Sequence, residues 1–291
     1  MSTLNVFLAT PWLLYPSVIL VSLCIGSFLN VVILRLPKMM HQEWRCQCET
    51  FLEIPEAQHK QEERITLSSP ASTCPSCGHK IRAWENIPVI SYLILRGKCG
   101  NCKTHISARY PVIEAVTALF SVITVAAGGP TETTLLTLLL VWALVALTVI
   151  DFDTQLLPDS ITLPLMWLGL LLSYFGYSGD FNSAFLGAVF GYLSLWSVYW
   201  LFKLATGKEG MGHGDFKLLA ALGAWLGWEL LPAIILLSSV VGAVVGISLM
   251  VFKKHGREVP IPFGPYLATA GLLCLWFGSE IQEFWYGLLG V

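Results

Sequence analysis

Two acidic residues stand where a membrane-type sequence normally excludes charge. Asp151 directly follows the apolar run 135–150, and Asp215 closes a Gly-His-Gly-Asp sequence just before the apolar segment 216–228. Acids in such positions are rare and tend to be functional. Two carboxyl groups held close together can share one proton and activate a water molecule, which is how paired aspartates hydrolyse peptide bonds. Asp151 and Asp215 are therefore our candidate catalytic pair.

A simpler explanation of Asp215 stays open. Aspartate is a common N-cap residue, so Asp215 could serve only to begin the helix predicted for 216–228. The glycines of the stretch 207–217 leave the backbone flexible and able to approach another chain closely, because they lack a Cβ atom. His213 lies beside Asp215, but one histidine in a glycine-rich loop is weak evidence for a ligand or a base. We interpret His213 as structural.

Two Cys-x-x-Cys pairs form a second chemical signal. They are separated by 21 residues and consist of Cys74, Cys77, Cys99 and Cys102. Pairs at nearly this separation are typical of zinc ribbons, in which four thiolates hold Zn²⁺ in a closed structural site. Gly78 and Gly100 suit tight turns around a metal ion. A disulfide is the weaker alternative, because the charge pattern described below places these cysteines in the reducing cytoplasm.

The other four cysteines have no clear chemical role. Cys24 and Cys274 lie in apolar segments and are predicted to be packing residues. Cys46 and Cys48 have the wrong spacing for a zinc pair and stay unassigned. The polar stretch 38–72 around them has no clear period, and both a partly helical insert and a mobile loop are open for it.

The elements that must position these residues are membrane helices. Of the 291 residues, 55% are hydrophobic and only 12% are charged, unlike an ordinary soluble domain. Runs of about 20 apolar residues are typical of membrane helices, and Pro232 marks a break in the longest run. We predict an all-α polytopic membrane protein with a small cytoplasmic zinc-ribbon-like domain. Its eight or so spans cover residues 18–34, 112–128, 135–150, 161–177, 185–202, 216–228, 231–252 and 261–277.

The basic residues predict the orientation of these spans. All 17 Lys and Arg residues fall on one side of the scheme: in or beside the loop 37–111, around the Gly-His-Gly-Asp stretch, and in 253–257. The opposite connections carry only acids: Glu132, Asp180, Glu229, Glu280 and Glu283. By the positive-inside rule the loop is cytoplasmic and both termini are outside. Asp151 and Asp215 then lie at the cytoplasmic membrane face.

The chain is expected to divide into three parts at the ends of the long loop. Residues 1–36 form the first transmembrane helix, 37–111 the cytoplasmic domain with the zinc cysteines, and 112–291 the transmembrane domain with both acids. With no basic residue before Arg35, the first span is predicted to be an anchor rather than a cleavable signal. Within the loop, the apolar segment 81–98 is too short and interrupted to span a membrane. It is expected to lie against the protein or the bilayer surface.

Polar and small residues in the first two spans are harder to interpret. Gly26, Ser27 and Asn30 favour close helix packing, although a direct role of Asn30 or Arg35 stays open. Glu114 enters the second span, either as a functional acid or as a boundary residue that reaches the surface. No nucleotide-binding, serine-hydrolase or zinc-peptidase motif occurs.

Six motifs together carry a resemblance to a known family. The sequence resembles the bacterial type IV prepilin peptidases, which are bifunctional leader peptidases and N-methyltransferases, and its motifs occur in the family's order. The match runs from about residue 26 to 265, and the stretch 38–72 is least characteristic. The motifs are GSFLNVVILRLP at 26–37, the double pair CPSC at 74–77 and CGNC at 99–102, ENIPVIS, ARYPVIE, IDFDTQLLPD at 150–159 and GMGHGDFKLLAALGAW at 210–225.

The resemblance implies a membrane aspartic protease of the GxGD type. It assigns catalysis to Asp215 and to Asp151 rather than Asp153 or Asp159, a choice that composition alone does not make. Asp159 is also expected to cap a helix, and Asp153 to point to a different helix face from Asp151. The family implies S-adenosylmethionine as the methyl donor for the new N-terminal residue, but no residue of this sequence identifies its binding site.

The implied partners are type IV prepilins and type II secretion pseudopilins as substrates, and membrane lipid, with no nucleic acid. The implied location is the bacterial inner membrane, with periplasmic termini. The scissile bond of a prepilin lies between a basic leader and an apolar helix, at the level expected for Asp151 and Asp215. Two alternatives are a membrane transporter, for which no internal repeat is found, and a non-catalytic zinc-binding membrane module.

Overall fold

The computed structural model describes residues 3–53, 64–253 and 262–289, and this part of the chain is helical with no strand. The predicted all-α class is therefore confirmed for these residues. Two short 3₁₀ helices, Ala83–Asn86 and Trp228–Leu230, join the α-helices. The α-helices are α1 (Thr3–Leu8), α2 (Pro11–Phe51), α3 (Ile90–Ile94), α4 (Arg109–Gly128), α5 (Glu132–Thr154), α6 (Asp159–Tyr174), α7 (Phe181–Thr206), α8 (His213–Leu226), α9 (Leu231–Lys253), α10 (Gly264–Trp276) and α11 (Gly278–Leu289).

Within the described part of the chain, five helices are long and apolar enough to cross a membrane, so the predicted count of eight spans is not confirmed. The three other predicted spans coincide with α6, α8 and α10, which have only 16, 14 and 13 residues. Lys254, Arg257 and the first residue of the predicted span 261–277 lie outside the described residues. The five long segments are Pro11–Phe51, Arg109–Gly128, Glu132–Thr154, Phe181–Thr206 and Trp228–Ser248.

The chain forms two compact units, Met1–Val122 and Ile123–Val291. In the first unit α2 and α4 pack closely at Gly26, where a Cβ atom would lie 2.7 Å from the Cα of Glu114. The Asn30 side chain donates hydrogen bonds to the carbonyls of Gly26 and Tyr110, at 3.2 and 3.1 Å. Gly26 and Asn30 therefore serve helix packing, as their types predict.

Helix α2 continues well past the predicted end of its span at residue 34. It passes through Pro37 and ends at Phe51, so the stretch 39–51 is helical rather than a loop. This extension is rich in Met, Gln, Glu and Arg, which are good helix formers and need no hydrophobic partner. Residues 54–63 of the same polar stretch lie outside the described residues.

Helix α8 is the central helix of the second unit. Ten of its 14 residues are buried, because α6, α7 and α10 surround it. Glycine permits the closest of these contacts: the backbones of α7 and α8 meet directly at Gly187 and Gly223. The Trp225 indole donates a hydrogen bond of 2.8 Å to the Leu165 carbonyl and so fixes α8 against α6. The start of α8, which carries Asp215, is thus held on several sides.

We expect Gly223→Ala to destabilise the second unit. The added Cβ would overlap with the carbonyl of Gly187, and backbone atoms cannot turn aside as a side chain can. Overpacking of this kind costs roughly 1–3 kcal/mol. The measurement is the thermal unfolding midpoint in detergent. Gly287→Ala is the matched control, because a Cβ there meets nothing within 4 Å. Equal midpoints for the two variants would contradict the predicted close contact.

Candidate active site and metal centre

Asp151 lies near the C-terminal end of α5 and is buried, with 4% of its surface exposed. The backbone N–H of Gly264 donates a hydrogen bond of 2.9 Å to Asp151 Oδ2. Gly264 is the first residue of α10, where backbone N–H groups lack partners inside the helix. A Cβ on Gly264 would lie 2.6 Å from the same oxygen, so only glycine lets α10 approach this closely.

Asp215 is the third residue of α8 and is also buried, with 6% of its surface exposed. Its Oδ1 atom has no hydrogen-bond partner within the part of the chain that the structure describes. The N-cap position of α8 is occupied by Gly212, so the alternative that Asp215 is the N-cap is wrong. A buried carboxyl oxygen without a partner is costly and is seldom kept for structure alone.

The fold brings the two predicted acids together. Asp151 and Asp215 are close enough for their charges to interact. Leu157 packs against both sides of the site: its side chain lies against Gly214 and against Gly264. The end of α5 and the starts of α8 and α10 therefore converge on one pair of buried carboxyl groups. Such a pair has the geometry to pass a proton between a water molecule and a substrate carbonyl.

The two neighbouring acids, Asp153 and Asp159, differ from Asp151 in their exposure or their partners. Asp153 is exposed where Asp151 is buried, so the predicted difference in helix face is confirmed. The prediction that Asp159 caps a helix is wrong: the N-cap of α6 is Pro158, and Asp159 is the first helical residue. Both Asp159 oxygens instead accept hydrogen bonds of 2.7 Å from the Lys217 ammonium group. This ion pair satisfies Asp159 without any cap.

The other residues near the pair are of two kinds: one has a predicted structural role, and the others were not predicted from the sequence. His213 is exposed, and its ring packs against Tyr199 and Phe216, with centroids 5.0 and 5.4 Å apart, as its structural interpretation predicts. Gly264 and Leu157 were not predicted. Gly264 is followed by Pro265, and proline at the start of a helix is a recognisable signal for the beginning of α10. The sequence holds no signal that α10 meets Asp151.

The four predicted cysteines form one cluster in the first unit. The sulphur atoms of Cys74, Cys77, Cys99 and Cys102 all lie within 4.8 Å of one another. Cys74 Sγ and Cys102 Sγ are 3.7 Å apart. Tetrahedral zinc with Zn–S bonds of about 2.3 Å requires sulphur atoms about 3.8 Å apart. The cluster therefore has the dimensions to hold zinc.

The two cysteine pairs have the same backbone geometry. Cys74 N–H donates to the His79 carbonyl at 2.9 Å, and Cys99 N–H donates to the Thr104 carbonyl at 2.8 Å. The residue after each pair has a positive φ: 68° at Gly78 and 60° at Lys103. Hydrogen bonding with Thr104, first with its side chain and then with its backbone, lowers the pKa of Cys102 to about 6. A low pKa favours the thiolate form that binds metal.

Gly100 lies in the turn between Cys99 and Lys103, as predicted, and the Lys103 N–H closes this turn with a hydrogen bond of 3.1 Å to the Cys99 carbonyl. The φ of Gly100 is not in the left-handed region; glycine is needed because a Cβ would overlap with the Glu85 carboxylate. Glu85 accepts a hydrogen bond of 2.9 Å from Arg82 N–H and lies 3.2 Å from His79 Nε2. Glu85 thus links the loop of the first pair to that of the second.

The other cysteines lie apart from this cluster. Cys274 is buried in α10, consistent with its predicted packing role. Cys24 is exposed on α2, so its predicted packing role is wrong; an apolar sequence context does not say which side of a helix faces the protein. Cys46 and Cys48 are exposed in the part of α2 that follows Pro37.

Comparisons with known proteins show the family of this chain. The bacterial peptidase A24 N-terminal domain matches residues 20–127, and the type IV leader peptidase family matches residues 138–247. A protein of Aeromonas salmonicida named prepilin leader peptidase/N-methyltransferase is 54% identical over 95% of this chain and 94% of its own length. Proteins of the same name from Pseudomonas putida and Pseudomonas aeruginosa are each 53% identical, covering 92% and 94% of this chain and 92% and 93% of their own lengths. No solved structure matches. This chain belongs to the prepilin leader peptidase/N-methyltransferase family.

Proposed function

We propose that this protein removes the basic leader of type IV prepilins and related pseudopilins at the cytoplasmic membrane face and methylates the new N-terminal residue. The observation that carries the peptidase activity is the buried pair of Asp151 and Asp215, held together by three helix ends. We infer the methyltransferase activity from the name of relatives that are 53–54% identical over nearly the whole chain.

The two carboxyl groups divide the chemistry of hydrolysis. The ionised group takes a proton from water, whose oxygen attacks the carbonyl carbon of the scissile bond. The protonated group donates to the carbonyl oxygen, and the proton is later passed to the leaving amine. Asp151 and Asp215 titrate as one unit, so the roles belong to the pair. The Gly264 N–H fixes the orientation of the Asp151 carboxylate.

The membrane arrangement extends the proposal. We take the three short helices α6, α8 and α10 as spans too, for a total of eight. A 14-residue helix such as α8 is about 21 Å long, shorter than the roughly 30 Å hydrocarbon core. Asp215 at the start of α8 would then lie below the bilayer surface, beside a scissile bond at the end of an apolar substrate helix. The positive-inside pattern supports inner-membrane location with periplasmic termini.

Membrane lipid is also a partner of the first unit. Ile90, Leu93 and Ile94 of α3 are exposed, at 53%, 67% and 71%. Val89 N–H, just before α3, donates a hydrogen bond of 2.7 Å to Glu114 within α4. Because α4 is a candidate span, this bond supports a position of α3 at the membrane boundary. Of the two sequence alternatives for residues 81–98, we therefore favour the bilayer surface over burial against protein.

The cofactors and functional parts follow the sequence prediction. We propose S-adenosylmethionine as the methyl donor, and one structural Zn²⁺ held by Cys74, Cys77, Cys99 and Cys102. The zinc would join two loops that have little apolar core of their own. The division into 1–36, 37–111 and 112–291 stays a prediction of how function is distributed.

Zinc content tests the metal proposal. Purified protein is expected to hold about one Zn²⁺ per chain, measured by elemental mass spectrometry. Cys74→Ser with Cys99→Ser should remove it and loosen the cytoplasmic loops, since metal binding and folding are coupled in such units. Cys46→Ser with Cys48→Ser is the matched control and should keep the metal. Full zinc occupancy in the first double variant would show that the four cysteines are not the ligands.

The proposed function is tested with a synthetic prepilin. Purified protein is incubated with it, and the product is weighed by mass spectrometry with and without S-adenosylmethionine. We expect loss of the leader in both cases, and one added methyl group only with the cofactor. An uncleaved prepilin, with a folded and zinc-loaded protein, would favour a transporter or a non-catalytic module instead.

A further inference from the structure

Glu114 is a buried acid that neither hydrolysis nor zinc binding uses. It lies in α4, a candidate membrane span, and only 7% of its surface is exposed. The alternative that it is a boundary residue reaching the surface is therefore wrong. Its Oε2 accepts the hydrogen bond from Val89 N–H, and the Ser27 hydroxyl is a second partner of the carboxylate. A buried acid at membrane level that is held in this way calls for a functional explanation.

The backbone that holds Glu114 is strained. Val89 has φ 57° and ψ −47°, and a positive φ is rare for a β-branched residue. Strain of this kind is kept where a site requires it. Here it turns the Val89 N–H toward the Glu114 carboxylate.

Glu114 lines a cavity of about 670 Å³ inside the first unit. Ser27, Tyr92 and Tyr110 also line it, as do Lys38 and the two cysteines Cys74 and Cys99. The volume is in the range of small-molecule sites. The lining offers aromatic rings for a purine, a lysine for a carboxylate and an acid for an ammonium group. These are the groups that S-adenosylmethionine and an amine acceptor present.

We propose that this cavity is the methyl-transfer site: it binds S-adenosylmethionine, and Glu114 binds the new N-terminal amine of the pilin. The inference rests on the proposed methyltransferase function. Glu114 takes a proton from the ammonium group of the pilin. The freed nitrogen lone pair then forms a bond to the methyl carbon, and the carbon–sulphur bond breaks with its electrons on sulphur. The products are the methylated amine and S-adenosylhomocysteine.

The zinc cluster supports one wall of this cavity. Cys74 and Cys99 are lining residues, and their loops carry other parts of the lining, including His79 and Thr104. Arg35 holds the loop 66–70 by donating hydrogen bonds to the carbonyls of Thr66 at 2.9 Å and Pro70 at 2.7 Å. Arg35 is thus a positioning residue, since its guanidinium group is already used by the loop.

Glu114→Gln tests the role of the acid. The amide oxygen can still accept from Val89 N–H, but it cannot take a proton. We expect methylation of a pre-cleaved pilin peptide to fall at least about a hundredfold, the size typical of a lost general base. Binding of S-adenosylhomocysteine, measured by calorimetry, should stay within about threefold of the parent, and leader cleavage and zinc content should be unchanged.

Ala71→Trp tests the cavity independently. Ala71 is an exposed loop residue in the lining, so the indole would fill the cavity without disturbing the helices. We expect it to abolish binding of S-adenosylhomocysteine. Ala83→Trp is the matched control, because Ala83 is exposed in the same unit and does not line the cavity.

Three results would overturn the inference. One is parental methylation by Glu114→Gln, and another is loss of S-adenosylhomocysteine binding in that variant, which would assign Glu114 to the donor. The third is equal binding by Ala71→Trp and Ala83→Trp. A parent protein that neither binds S-adenosylhomocysteine nor methylates the peptide would instead refute the proposed methyltransferase function itself, with leader cleavage reporting separately on the peptidase.

Discussion

Asp215→Asn is expected to abolish leader cleavage, lowering its rate by at least about a thousandfold, as loss of a central catalytic group does. An amide fills nearly the same volume as a carboxyl group but cannot accept and return a proton. Because Asp215 Oδ1 has no partner among the described residues, no hydrogen bond is lost from that oxygen. Neutralising a buried charge should leave stability unchanged or raise it. The measurements are the initial cleavage rate of a synthetic prepilin and the unfolding midpoint.

Asp151→Asn should have the same effect on cleavage. The amide oxygen of the new side chain can still accept from Gly264 N–H, so α10 stays in place. Asp153→Asn is the matched control, because Asp153 is two residues away on α5 and exposed. It should cleave at close to the parental rate. Substantial cleavage by either Asp151→Asn or Asp215→Asn alone would mean that the two aspartates are not the catalytic pair.

The two acids of the candidate site could be predicted from the sequence, but their setting could not. Acids at the ends of apolar segments are visible because charge is expensive there, and the family motifs select Asp151 from its neighbours. Gly264 lies 113 residues along the chain from Asp151, and nothing in its local sequence states which helix end it meets. Contacts of this range depend on how α5, α8 and α10 pack, which periodicity does not encode.

The lengths of the helices could likewise not be predicted from the sequence. Hydrophobicity locates the apolar helices along the chain, yet it does not distinguish the 14 residues of α8 from the 26 of α7. The glycines and prolines at the helix ends set those lengths. The sequence left a partly helical insert and a mobile loop both open for the extension of α2, because a solvated helix needs no apolar face. The clustering of the four cysteines could be predicted, because the spacing within each Cys-x-x-Cys pair is a local property.

Gly78 and Gly100 illustrate why residue type alone does not give a role. Both were predicted to form turns. Gly78 does so, with a positive φ. In the second pair the positive φ is at Lys103, while Gly100 lies inside the turn with an ordinary φ and makes room for Glu85. A glycine that permits a turn and one that permits a close contact look identical in the sequence, so only the structure separates them.

The second large expected effect concerns methylation by a variant that has lost its peptidase activity. Asp215→Asn should give no methylated product from full-length prepilin, because the amine that accepts the methyl group does not exist until the leader is removed. The same variant should methylate a pre-cleaved pilin with a free N-terminal residue at close to the parental rate. The proposed sites use different residues in different units: Asp151, Asp215 and Gly264 in one, Glu114 and its cavity in the other.

The measurement is transfer of a labelled methyl group from S-adenosylmethionine to the pre-cleaved pilin. Glu114→Gln is the reciprocal variant and should cleave prepilin normally while leaving the product unmethylated. Together the two variants would separate the activities in both directions, which a single shared site cannot do. If Asp215→Asn fails to methylate the pre-cleaved pilin although it is folded, zinc-loaded and binds S-adenosylhomocysteine, then the aspartate pair also takes part in methyl transfer, because every other requirement of that step would have been met.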